Sequence, residues 1–521
     1  MIANIATPPS IVVGAGLGGL AAAIHLAVQG RPVLVLEKNE RVGGKLNLVQ
    51  AAGYTFDTGP SLLTMPWIIR DLFAAAGREM EDYLELVQIE PICRYTWPDG
   101  TRFDASQYLP QLIQEIARLS PADVPGFFRF MAHTARIYDA IAEPFLLRPF
   151  TGLRELLTPK FLRRARGIDS MRSVDAAVRS FFRSPYLRQV FNRYATYNGS
   201  SPYLSPATFN VIAYIEFAEG GWYVRGGMYE LGRALLRLAH ELGVEIRTNT
   251  QVAEVVQERG QACGVFLQNG EYIEAAQVVI NADPRYAYAG LDATPANTGE
   301  VPLLIGQQRQ THRLQRLEPS CSGFILLLGV DRAYESLGHH NIFFSHDYPR
   351  EFAAIFEKRI PAADPTVYVC ATCVSDSDHA PTGHTNMFIL VNAPALSSRV
   401  SWQREAISYR DTILCKLERM GLCDLRKHIR YEEIITPEDF QARYHTAGGA
   451  IYGLASNNVF SAFARPPLRA PGIARLYFVG GGTHPGGGIP LVLLSGKAVA
   501  AQIATDTPLY RAPQPLVNFC T

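Results

Sequence analysis

The opening of the chain sets two apolar patterns against each other. Ile11-Val12-Val13 is a run with no polar position, the mark of a strand covered on both faces. Leu20, Ala23, Ile24, Ala27 and Val28 follow at helical steps of three and four. Between them lies Gly14-Ala15-Gly16-Leu17-Gly18-Gly19, and beyond the helix Val33 to Leu36 forms a second buried-type strand ending in Glu37. Strand, glycine turn, helix, strand and acid, in that order, make a dinucleotide-binding unit. Gly14 permits the tight turn, Gly16 lets a pyrophosphate approach the backbone, and Gly19 lets helix and strand come close. The helix N-terminus, from Ala15 and Gly18 onward, offers unpaired N–H groups to an anion. Glu37, with Lys38 beside it, lies about 20 residues past the glycines, where a carboxylate accepts from both hydroxyls of an adenosine ribose.

The same reading carries along the chain. Gly53 to Asp57 has strand character and runs into Gly59-Pro60-Ser61, a break in regular structure that is either a plain turn or a loop beside a ring cofactor. Pro98-Asp99-Gly100-Thr101 and Asn269-Gly270 mark hairpins. Residues from about Gln107 to Phe217 are helical, aromatic and basic. Met228 to Leu242 reads as a helix, followed by strands at Val244 to Arg247, Val252 to Val255 and Val278 to Ile280. Further strands are expected at Ser322 to Val330, Thr366 to Cys373 and Met387 to Asn392. The last strand, Leu476 to Val479, leads through a glycine loop with Gly482, Thr483, His484 and Gly488 to Ile489-Pro490 and an apolar helix. Proline suits the first turn of a helix, where its missing N–H costs nothing.

These elements predict an α/β chain with a doubly wound FAD/NAD(P)-binding domain. That domain is discontinuous, built from 1–65, 220–290 and 446–521. A substrate-binding domain of α+β type is expected from 66–106 and 291–445, and a helical, membrane-associating region from 107–219.

Charge changes the picture only locally. The 521 residues carry 49 basic and 48 acidic side chains, so no global field points to nucleic acid. Within 148–166, however, Arg148, Arg154, Lys160, Arg163, Arg164 and Arg166 are interleaved with Phe150, Leu153, Phe161 and Leu162. Cations mixed with bulky apolar groups suit docking on an anionic leaflet, the alternative being a solvated helix face. No stretch reads as the 18 to 20 apolar residues of a spanning helix, and no secretory signal is evident at the N-terminus. The eight cysteines form no disulfide framework, which fits a reducing cytoplasm; the expected location is cytoplasmic, peripheral to the cytoplasmic membrane. Cys370 and Cys373, with His379 and His384 downstream, lack zinc-site spacing and would face opposite sides of one strand, so no metal is expected there.

The choice of FAD over NAD rests on Arg41-Val42-Gly43-Gly44-Lys45, which resembles the second signature of flavoproteins related to amine oxidases. The C-terminal loop agrees: a helix N-terminus aimed at flavin N1 and the C2 carbonyl stabilises the charge that reduction leaves there. Together with GPSLLTMP, SCSGFILLLGV, HHNIFF, DPTVYV and GGAIYG, the run THPGGGIPLVLLSGK resembles the bacterial phytoene desaturase family of carotenoid oxidoreductases over Ile11 to about Ile503. The resemblance implies an amine-oxidase-like fold and a long apolar tunnel for a polyene. It also implies that Gly14, Gly16, Gly19, Glu37, Gly44 and Lys45 hold the ADP half, with Val252 at the adenine. Gly482, Thr483, Gly488, Ile489 and Pro490 would surround ribityl and ring. Many flavoproteins have Gly-Asp where this chain has Thr483-His484.

Desaturating a carotenoid offers no polar handle, so orientation must come from the shape of a dry, apolar site. Candidates for the proton acceptor are His484, close to the ring by motif, and Glu216, in an otherwise apolar run; the plain alternatives are a structural hydrogen bond and a surface carboxylate. The leading expectation is an FAD-dependent desaturase of an acyclic carotene that passes electrons to oxygen or a membrane quinone. The alternatives are a terminal-methyl oxidase of the diapocarotenoid type and an isoprenoid-binding escort with the architecture of Rab GDP-dissociation inhibitors. His484 leans toward the desaturase.

Overall fold

Ser10–Val13 is the central strand of a five-stranded sheet, ordered Leu476–Phe478, Gln277–Ile280, Ser10–Val13, Val33–Leu36, Glu245–Arg247. All four pairings are parallel. This is a computed structural model, and it describes residues 8–142, 167–291, 301–459 and 465–508. The central strands Ser10–Val13 and Val33–Leu36 are buried at every position because both faces are covered. Val12, Val33 and Val35 pack under the helices Leu17–Val28, Tyr229–Glu241 and Ile489–Asp506. Ile11, Leu34 and Leu36 face an antiparallel three-stranded sheet, Val252–Glu258, Gln261–Leu267 and Tyr272–Glu274. The parallel sheet thus draws its strands from the opening, middle and closing segments of the chain.

Leu17–Val28 is buried from Leu17 to Leu26 because Ile489–Asp506 lies against it. A Cβ added at Gly496 would stand 2.7 Å from Ala21 Cβ and from Ala22 N, so small residues set the closeness of this crossing. Ile489–Asp506 is the one described helix long and apolar enough to cross a membrane, contrary to the expectation that no stretch qualifies. Burial of Leu493, Leu494, Val499, Ala500 and Ile503 identifies it as a core helix.

A seven-stranded mixed sheet forms the second half, ordered Ile429–Ile435, Ser322–Val330, Thr385–Ala393, Val367–Cys370, His340–Phe343, Cys93–Thr96, Arg102–Ala105. One face is covered by the helix Trp402–Arg419, and the opposite face turns toward the nucleotide half. The 98–101 and 269–270 turns close hairpins as the sequence indicates. The strand expected over 366–373 stops at Cys370, and Cys373 lies on a short 3-10 turn, Thr372–Val374. The two thiols therefore do not share a strand.

Helices Val124–Ile141, Val174–Phe181, Pro185–Asn192 and Val211–Glu219 gather an aromatic core. Phe182 and Phe191 stack there at 4.4 Å between ring centroids. The basic segment 148–166 lies outside the described residues. Asp57 anchors the start of the helix Tyr229–Glu241: its carboxylate accepts the N–H groups of Met228 (2.8 Å) and Tyr229 (3.1 Å). Burial raises its pKa to about 6, against the pull of those two bonds.

Candidate functional site

A cavity of about 470 Å³ lies where the carboxyl ends of the parallel strands meet the open face of the seven-stranded sheet. Val13, Leu36, Asn281 and Val479 bring the strand ends to its wall, the position where open α/β sheets bind ligands. Ile325, Phe388 and Leu390 supply the apolar side from the second sheet.

Asn281 organises the strand ends. Its Nδ2 donates to Gly14 O (3.2 Å). A Cβ at Gly16 would stand 2.8 Å from Asn281 Nδ2, and one at Gly18 would stand 2.8 Å from Oδ1 and 3.0 Å from Gly480 Cα. At Gly19 it would collide with the Gly14 carbonyl. Gly43 N–H donates to Ala15 O (2.8 Å), and a Cβ at Gly44 would stand 3.2 Å from Gly16 Cα. The glycines therefore bring three bare backbone segments together, two from the N-terminal region and one from the C-terminal loop.

Glu37 is buried at the wall. It accepts Ala15 N–H (2.7 Å) on one oxygen and Asn39 N–H (2.9 Å) and Nδ2–H (2.8 Å) on the other. Lys45, half-buried, donates to Ile451 O (2.5 Å), and desolvation lowers its pKa to about 8 against the opposing attraction of Asp283. Exposed backbone, a carboxylate at the second strand and a half-buried cation make a cradle that fits FAD: pyrophosphate at the glycines, ribose at Glu37.

The cavity wall includes Gly14, Gly16, Gly18, Glu37, Lys38, Gly44 and Lys45 of the predicted N-terminal set. Gly59, Pro60, Ser61 and Val252 also line it, as do Gly482, Gly488, Ile489 and Pro490 from the closing loop. Four predicted residues do not. Ala15 acts through its bond to Glu37, and Gly19 through its closeness to Gly14. Thr483 is fully buried and donates its hydroxyl to Pro466 O (2.5 Å), while His484 N–H donates to the same carbonyl (3.2 Å). The loop's attachment to the 465–466 segment thus sets Thr483 and His484 behind the lining.

Glu216 is fully buried rather than a surface carboxylate, and it lines the cavity. It accepts Tyr194 O–H (2.7 Å) and Tyr197 O–H (2.5 Å). Arg193 donates to Tyr95 Oη (2.8 Å) and Tyr197 Oη (3.2 Å), and its guanidinium lies 5.1–5.5 Å from the centroids of the Tyr95, Tyr194 and Tyr197 rings. Burial pushes all three phenols well above their ordinary pKa, so they remain proton donors. The chamber thereby gains a polar corner in addition to its apolar wall of Ile325, Phe388 and Leu390. Ser61 Oγ, Tyr368 Oη and His340 Nδ1, also on the wall, form a hydrogen-bonded chain with links of 2.6 and 2.8 Å.

Sequence reasoning missed Asn281, Arg193 and Arg465. Asn281 follows directly on the strand Gln277–Ile280, a position that signals a strand-end contact. Arg193 is a cation inside an aromatic helical run, which burial turns from a surface group into a cavity group. Arg465 holds the C-terminal loop through Gly481 O and Leu454 O (both 3.1 Å), and only the fold brings it there.

Comparison with known proteins agrees with this geometry. The family model described as flavin containing amine oxidoreductase matches residues 17–504. A 4,4'-diapolycopene oxygenase from Methylomonas is 41% identical over 501 residues, covering 95% of this chain and 98% of that protein. A 4,4'-diaponeurosporene oxygenase from Staphylococcus aureus is 34% identical over 498 residues, covering 95% and 97%. The crystal structure of an oxidoreductase from Methanosarcina mazei shares the fold, with a TM-score of 0.64 at 16% identity over 95% of this chain and 100% of that one. The chain is an FAD-dependent oxidoreductase that belongs to the flavin-containing amine oxidoreductases, within their carotenoid desaturase and oxidase group.

Proposed function

We propose that the chain oxidises a terminal methyl group of an acyclic 4,4'-diapocarotene to an oxygenated, aldehyde-type end. The observation that carries this reading is the 41% identity, over nearly the whole of both chains, to a 4,4'-diapolycopene oxygenase. Bound FAD would accept two electrons per turnover, so the four-electron change from methyl to aldehyde takes two turnovers, with the oxygen atom drawn from water or O2. The chain's own residues orient the substrate and keep bulk water from it. Ile325, Phe388 and Leu390 give the polyene an apolar wall, while the Arg193–Tyr197–Glu216 corner gives a polar terminus a place to lie. Such a corner has no use for an unoxidised hydrocarbon end, but it suits a hydroxyl or carbonyl. Glu216 is the carboxylate proposed to take a proton from that end, with Tyr194 and Tyr197 holding it in place.

Desaturation of the same class of polyene is the competing reading. It rests on the resemblance to phytoene desaturases; His484, which leaned the sequence toward it over terminal oxidation, does not line the cavity. Expression in a bacterium that accumulates diapolycopene or diaponeurosporene separates the two. Pigments that gain oxygen support terminal oxidation; longer conjugation without oxygen overturns it.

The proposed electron acceptor is oxygen or a membrane quinone, and the proposed location is the cytoplasmic face of the membrane, reached through residues 148–166. Replacing Arg163, Arg164 and Arg166 by Glu should move the protein from sedimented anionic liposomes to the supernatant; unchanged partitioning would remove the docking role.

A further inference from the structure

Beside the cavity, His339, His340 and Cys370 form a cluster that the flavin reading does not use. Each is nearly fully buried, with 3%, 3% and 2% of its surface exposed. One ring nitrogen of each histidine and Cys370 Sγ all lie within 4.8 Å of one another. The antiparallel pairing of His340 with Cys370, on neighbouring strands, fixes this meeting. Sequence spacing drew attention to Cys370 and Cys373 and excluded a metal there. The fold leaves Cys373 on its separate turn and supplies instead His340, the first residue of the preceding strand His340–Phe343, and His339 just before it.

The hydrogen bonds divide each imidazole into a committed and an available nitrogen. His339 Nδ1 pairs with Ser375 Oγ (2.8 Å), and His340 Nδ1 pairs with Tyr368 Oη (2.8 Å). Both Nε2 atoms are buried with no hydrogen-bond partner. A buried imidazole normally satisfies both nitrogens. One whose Nδ1–H is given to a hydroxyl, with Nε2 left as a bare lone pair, has the arrangement of a metal ligand. Tyr368 Oη is in turn hydrogen-bonded to Ser61 Oγ (2.6 Å).

We propose that His339 Nε2, His340 Nε2 and Cys370 Sγ bind a thiophilic transition ion, and that Cu⁺ is the ion the ligand set suits. Metal–nitrogen and metal–sulfur lengths of about 2.0–2.3 Å place the donors of a trigonal site about 3.5–3.8 Å apart. The observed separations, up to 4.8 Å, are longer, so binding would draw the three side chains together. Three donors complete a trigonal Cu⁺ site without a further ligand, and soft thiolate with imidazole favours copper. Binding releases the Cys370 thiol proton to solvent, and the resulting thiolate cancels the single positive charge, so no net charge is left in the interior. A divalent ion would leave one.

The test is elemental analysis of the untagged, full-length, FAD-loaded protein, as purified and after anaerobic addition of Cu⁺ and removal of excess. One equivalent of copper per chain is expected, with a thiolate-to-copper absorption band in the near ultraviolet. Cys370→Ala and His339→Gln should each retain about tenfold less copper or lower still. Cys373→Ala should retain the full equivalent. FAD absorbance and melting temperature report whether each variant is folded. Copper far below one equivalent in the wild type, or equal retention in folded Cys370→Ala, overturns the site. One equivalent of zinc in place of copper overturns the choice of a monovalent ion.

Discussion

Glu37→Gln separates the adenosine contact from every other part of the site. The carboxylate, 4% exposed, accepts three donors: Ala15 N–H at 2.7 Å, Asn39 N–H at 2.9 Å and Asn39 Nδ2–H at 2.8 Å. The amide keeps the shape but replaces one acceptor with a donor, so Ala15 N–H or the Asn39 pair loses its partner. An unsatisfied buried donor costs about 1–3 kcal/mol, which appears in the stability of the protein with or without ligand. The effect on binding is a separate quantity. Hydrogen bonds from ribose hydroxyls to a charged acceptor contribute about 1.5–3 kcal/mol each, against about 0.5–1.5 for a neutral one. Two such contacts weakened together predict a loss of about 2–4 kcal/mol, or roughly 30- to 900-fold in Kd for FAD. Flavin fluorescence titration of stripped protein measures this directly. FMN, which lacks the adenosine, provides the control: its affinity should be the same in wild type and variant. FAD affinity within twofold of wild type, or an equal loss for FMN, would refute the placement of the ribose at Glu37.

Three further outcomes are expected. Glu216→Gln should lower kcat/KM by about 100-fold or more with unchanged FAD content, as removal of a general base does; full turnover in a folded Glu216→Gln would end its role. Gly496→Val inserts a branched side chain where even a Cβ meets Ala21 at 2.7 Å, so the thermal midpoint should fall with a cost of about 1–3 kcal/mol or more, and FAD should be lost earlier on heating. An unchanged midpoint would contradict the helix crossing. His25 has its pKa lowered to about 4, by burial first and by Lys497 second. It is neutral in the fold, so between pH 6.5 and 4 the unfolded chain binds the extra proton and stability falls as pH falls. Asp57, raised to about 6, acts in the opposite direction, gaining stability on acidification through the same window. The stability difference between wild type and His25→Gln should therefore move by about 3 kcal/mol against the wild type from pH 7 to pH 4. A pH-independent difference would show that His25 titrates normally.

The nucleotide half was legible because its signals are local. Gly14 to Gly19 and Glu37 fall within one strand–helix–strand unit, and an apolar run such as Ile11 to Val13 has few other uses than a covered strand. The closing loop was readable for the same reason up to Gly482, but not at Thr483 and His484. Their direction depends on Pro466, whose position beside the loop is a tertiary fact. Glu216 was singled out as a carboxylate in an apolar run, yet whether such a group lies inside or outside is decided by partners elsewhere: Tyr194 and Tyr197, on a short 3-10 segment before its helix. Asn281 was marked only by its place at a strand end and Arg465 by nothing local, because each acts by touching backbone brought from more than ten residues away. The cluster of His339, His340 and Cys370 was hidden by strand pairing, which joins residues about thirty positions apart in the chain.

On the proposed function, one site, built from both ends of the chain, opens on a chamber that would oxidise the end of a diapocarotene. High-resolution mass spectrometry, with absorption spectra, of the pigment formed from 4,4'-diapolycopene by the purified FAD-loaded protein tests this most directly. A product carrying carbonyl oxygen at one or both ends, formed by wild type and strongly reduced in Glu216→Gln, is the predicted result. A product changed only by loss of hydrogen, or no change in pigment while FAD stays bound, would contradict it.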